Sequence, residues 1–125
     1  MDLSYPVPMA RRPTPLPAAE FAAVCARLDA GSTDRHDLRA ATLHLMAVLV
    51  ERAPGHSVEV RVPPYAAVQC IPGASHTRGT PPAVVEMDAA TWIALGRGSL
   101  AWANATVHAS GERSDLSAWL PLSEG

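Results

Sequence analysis

Ser57-Val58-Glu59-Val60-Arg61-Val62, followed by Pro63-Pro64 and then Tyr65-Ala66-Ala67-Val68-Gln69-Cys70-Ile71, decides the fold. Val58, Val60 and Val62 face one way, and Glu59 and Arg61 the other. A period of two with one polar face predicts a strand that is wet on one side. Pro63-Pro64 breaks the ladder. The second run is apolar on both faces apart from Gln69, which predicts a more central strand. Ala83 to Met87 reads as a third strand around Val84 and Val85, beyond a loop from Pro72 to Pro82. Upstream, Phe21, Val24, Cys25 and Leu28 form one helical stripe that ends at Gly31. Ser32-Thr33-Asp34 caps a second helix, Arg35 to Arg52, with Leu38, Ala41, Leu45, Val48 and Leu49 on its inner face. Downstream, Asp88 caps a helix from Ala89 to Arg97. Short helices are expected at Leu100–Ala105 and Ser114–Leu120, with a strand at Thr106–Ala109 between them. The order is α+β, a mainly antiparallel sheet covered by helices on one face.

With 125 residues the chain suits one domain. Residues 1–17 hold five of the twelve prolines and read as an extended arm; residues 18–125 form the domain. Apolar residues make up 48% and charged residues 18%, a folded profile. The apolar set contains 23 Ala and one Phe, so Val, Leu, Ala and three Trp must build the core. All ten basic residues are Arg, a habit of GC-rich bacterial genomes. The net charge of −2 leaves no electrostatic footprint for nucleic acid or an acidic membrane. The longest apolar run, Leu45 to Val50, is too short to span a bilayer. The first residues lack the pattern of a secretory signal, so a cytoplasmic protein without a stable membrane anchor is expected. Cys25 and Cys70 then read as free, buried thiols.

No pattern for nucleophilic, phosphate-cradling or metal chemistry emerges. There is no GxSxG elbow, no Lys and no CxxC. His36 and His44 lie two turns apart on one helix and cannot share a metal. No cofactor and no enzymatic activity are expected. Two features are open to a functional reading. Ser75-His76-Thr77-Arg78-Gly79-Thr80 places an imidazole and a guanidinium on one long loop. It reads either as a pocket mouth that holds a carboxylate or phosphate, or as an ordinary polar loop with Arg78 paired to Glu86 or Asp88. Trp92, Trp102 and Trp119 are either core anchors or walls of an apolar cavity.

The C-terminal half carries a resemblance. Asp88, Thr91-Trp92, Leu95, Gly98, Leu100 and Trp102-Ala103, then Val107-His108-Ala109-Ser110-Gly111-Glu112 and Asp115-Leu116, resemble the sterol carrier protein (SCP-2-like) domain. Glu59 to Cys70 and His76-Thr77-Arg78-Gly79-Thr80-Pro81-Pro82 look like the actinobacterial branch of bacterial sterol carrier orthologues, over about residues 32–122. Residues 107–120 also resemble the closing segment of mycothiol-dependent maleylpyruvate isomerases, whose metal-binding helical domain has no counterpart here. The resemblance implies about five strands, the missing one in Leu3 to Met9 or from a split segment, with an apolar tunnel between sheet and helices. It implies a non-catalytic carrier of an acyl chain or sterol-like lipid. Val60, Val68, Val85, Trp92, Trp102, Leu116 and Trp119 are the expected walls, and His76 or Arg78 the head-group contact. The alternative is a cargo-free accessory or dimerisation module, a homodimer among its forms.

Overall fold

The computed structural model describes residues 7–73, 82–111 and 114–123. Three helices, α1 (Ala18–Asp29), α2 (Arg35–Arg52) and α3 (Ala89–Arg97), accompany four strands, β1 (Val58–Val62), β2 (Ala66–Cys70), β3 (Ala83–Glu86) and β4 (His108–Ser110). The α+β expectation holds, and α2 runs between its expected ends.

The sheet is mixed, in the order β2-β1-β3-β4. β1 and β2 form an antiparallel hairpin, β3 and β4 pair antiparallel, and β1 and β3 run parallel. Two of the three ladders are antiparallel, as expected, but β2, expected to be more central than β1, is an edge strand. Cys70 at the end of β2 and Ala83 at the start of β3 both lie opposite Val58. The end of β2 and the start of β3 therefore lie roughly 10 Å apart, two strand spacings, and β3 runs in the direction of β1.

Among the described residues there are four strands, not five. Pro8 to Ala10 comes closest to a fifth. Met9 makes a single parallel bridge to Ala67, with Ala10 N donating to Ala67 O at 2.8 Å and Ala67 N donating to Pro8 O at 2.9 Å. Pro8 and Pro13 have no N–H to extend that pairing. The expected short helices at 100–105 and 114–120 are single 3-10 turns, Trp102–Asn104 and Ser117–Trp119. Too few residues lie between flanking turns for an α-helix to repay its nucleation.

The sheet's inner face and α2 make the centre of the core. Val58, Val60, Val62, Val68 and Val85 are fully buried with Leu45, Met46 and Leu49. Asp34 caps α2, accepting from His36 N at 2.7 Å. Asp37 is buried at the α1–α2 junction, where Arg27 and Ser32 donate to its two carboxylate oxygens at 2.9 and 2.8 Å. α3 crosses α2 at Gly96, where a Cβ would stand 2.7 Å from Leu45 Cδ1. An alanine there would force Leu45 to shift.

Candidate functional site

Val60, Val68, Val85, Trp92 and Leu116 all belong to one buried core cluster. Val60 and Val68 are direct partners across the β1–β2 hairpin, and Val85 is the parallel partner of Val60. One residue from each of three strands thus points to the same inward patch. Trp92 of α3 belongs to the same core cluster. Asp88 accepts from Thr91 N at 2.8 Å to start that helix, and the indole Nε1–H donates to Thr42 O of α2 at 3.1 Å. Leu116, from the C-terminal segment, is buried in the same cluster. Trp102 and Trp119 are half-buried and pack on the outside of the same cluster. His76 and Arg78 lie outside the described residues.

The described part of the C-terminal segment is tied to α2 and α3. Leu122 N and Ser123 N both donate to Gly96 O, at 2.7 and 3.0 Å. The Arg52 guanidinium donates to Pro121 O at 2.8 Å and Leu122 O at 3.0 Å. Val60, Val68, Val85, Trp92 and Leu116 each have 0% exposure. A water-sized void beside them would leave accessible area, so here their side chains touch protein on every side.

The chemistry of the interior is apolar. Burial pushes the Cys70 thiol up to about 12, and Cys25 is raised by burial as well, against the pull of Arg97. Neither is a ready nucleophile. Among the described residues, no group of three or more His, Cys, Asp or Glu is placed to hold a metal ion.

The opposite face of the sheet carries charge. Arg61 donates from Nε to Glu86 at 3.1 Å and from Nη1 to Glu59 at 3.2 Å, and all three side chains are largely covered. Beside this trio is a recess of about 250 Å³ bounded by Pro63, Glu86, Met87, Asp88, Thr106 and His108. A larger open recess of about 690 Å³ lies between the start of α2 and the β1–β2 turn, lined by residues 33–36, Arg39, Pro64 and Tyr65.

The profile of bacterial SCP orthologues matches residues 34–122, from the cap of α2 to the buried Leu122. The chain belongs to the bacterial SCP ortholog family. Comparison with curated proteins found no match. The family match covers every secondary-structure element except α1, and it includes all seven expected walls. In this SCP-family chain no residue of the larger recess was expected to bind a ligand: Thr33 and Asp34 read as a helix cap, and His36 was set aside as a metal ligand. The available signal was Arg35, His36 and Arg39 directly after the Asp34 cap, where acidic residues are the favoured kind.

Proposed function

We infer that the chain is a non-catalytic carrier of an apolar, lipid-like ligand, held between the sheet and the helices. Membership of the SCP family over residues 34–122 carries this reading. The family is generally one of carriers rather than enzymes, and the buried thiols suit that role. The ligand lies against Val60, Val68, Val85 and Trp92, under Leu116, with Trp102 and Trp119 at the rim. Arg78 or His76 holds its head group. Each methylene removed from water contributes about 0.8 kcal/mol, so a chain of eight gives useful affinity. Loading requires Leu116 and its segment to lift, because the walls touch in the closed form.

That contact also favours a second reading, a packed accessory or dimerisation module without cargo. Native mass spectrometry, followed by solvent extraction of whatever is bound, separates the two. The expected result is a stoichiometric lipid or acyl species whose retention falls in the Arg78→Ala variant. A bare mass of 13.2 kDa, without uptake of added fatty acid or sterol, overturns the carrier. A bare dimer mass points to the module and its interface.

A further inference from the structure

The recess at the start of α2 carries charge that folding alone does not explain. Arg35, His36 and Arg39 are three basic residues among the first five of an 18-residue helix. Peptide dipoles make that end of a helix positive, so cations there are unfavourable. Arg35 and Arg39 are also four residues apart on one face, where like charges repel. Among the described residues neither has a hydrogen bond or ion pair that relieves this. Two acidic groups lie nearby, and Asp34, the helix cap, also lines the recess. Asp34 Oδ1 accepts from the backbone of His36. Asp37 is taken by Arg27 and Ser32, and the ion pair with Arg27 holds its carboxyl below the usual range. A local arrangement that costs stability is expected where a ligand makes up the loss.

The opposite wall comes from another element. Pro64 and the half-buried Tyr65 at the β1–β2 turn face the basic side chains across about 690 Å³. That is far more room than an inorganic anion needs and lies in the range of small-molecule sites. Two guanidiniums offer forked donors to phosphate oxygens, and the tyrosine ring and proline offer a flat apolar surface.

We propose that this recess binds a small soluble phosphate monoester, with its phosphate between Arg35 and Arg39 and its apolar or planar body on Tyr65 and Pro64. No lining residue belongs to the proposed lipid walls, so this site and the carrier reading stand or fall separately.

Phenyl phosphate is the probe. Titration into uniformly 15N-labelled protein is expected to give saturable amide shifts confined to Thr33–Arg39 and Tyr65. Arg35→Ala/Arg39→Ala weakens binding at least tenfold, and Tyr65→Leu weakens it severalfold. Without ligand the double variant melts at the wild-type temperature or above, since repulsion is relieved. This separates lost binding from lost folding. Phenol, which lacks the phosphate, gives no saturable shift at these residues. The absence of saturation, or saturation that the double variant leaves intact, overturns the proposal. Arginine-dependent co-sedimentation with phosphatidylglycerol vesicles but not phosphatidylcholine, in a protein that phenyl phosphate does not saturate, also overturns it, in favour of a membrane-surface contact.

Discussion

His44 joins three elements through one ring. It sits on α2, stacks on Phe21 of α1 with centroids 3.8 Å apart, and accepts the Leu16 N–H of the arm on Nδ1 at 2.9 Å. Nδ1 accepts only when it carries no proton, so the latch requires neutral imidazole. Burial holds the ring below the usual histidine range, opposed by the nearby Glu51 carboxylate. The sign follows from proton counting. Below about pH 6.5 the unfolded chain takes up a proton that the folded chain resists, so stability falls as pH drops from there toward the depressed folded value. Urea unfolding at pH 7.5 and 5.5 is expected to show that loss, and His44→Phe, which keeps the stack, is expected to show less of it. An equal loss in both proteins would assign the dependence to other groups. Thr42 offers a second check at this scale. Its hydroxyl is fully buried without a partner, while its carbonyl takes the Trp92 indole. Thr42→Val removes the unpaired oxygen and keeps the shape. It is expected to raise stability by about 1 kcal/mol, read by denaturant midpoint.

The crossing of α2 and α3 depends on Gly96. Alanine there gains about 1 kcal/mol of helix propensity, but its methyl meets three atoms of Leu45 at 2.7 to 3.2 Å. Leu45 is wholly buried, so it must give way within a packed core. Gly96→Ala is therefore expected to cost about 1–2 kcal/mol net, as overpacked cores do. The cost should shrink or reverse in a Leu45→Ala background, and a double-mutant cycle measures that coupling. Elements of this kind were legible because local pattern and tertiary demand agree. The valine alternation of β1, the cap and ends of α2, and Asp88 before α3 each match what is observed, whereas the α2 stripe matches at Ala41, Leu45 and Leu49 while Leu38 and Val48 are only half-buried. The C-terminal elements were not. Leu116 and Trp119 are spaced as on a helix, yet only single 3-10 turns form there, and their positions come from Gly96 and Arg52 far back in the chain. The direction of β3 was equally hidden, since periodicity tells which face is buried and not which neighbour pairs.

For the whole molecule the open question is whether the interior opens without unfolding. The expected walls were legible as apolar residues, and five of them are buried in the core cluster. Whether they enclose space was not legible, because Val and Trp line a cavity and fill a core by the same attraction. Cys70 supplies the discriminating probe. It lies on the inner face of β2, opposite Val58, and its thiol is held near 12 by burial. In the closed form it is expected to resist alkylation, and reaction must await exposure. A carrier opens locally as the segment around Leu116 lifts, at a free energy below that of global unfolding. Its Cys70 alkylation, measured in a Cys25→Ser background, should then depend on urea more weakly than global unfolding does, because little surface is exposed. A packed module exposes Cys70 only by unfolding, so the two urea slopes coincide. Leu116→Ala sharpens the contrast. It loosens the closing segment, and in a carrier it should accelerate alkylation at low urea while leaving the shallow slope unchanged. In a packed module it should accelerate alkylation only as far as it lowers global stability, along the steep slope.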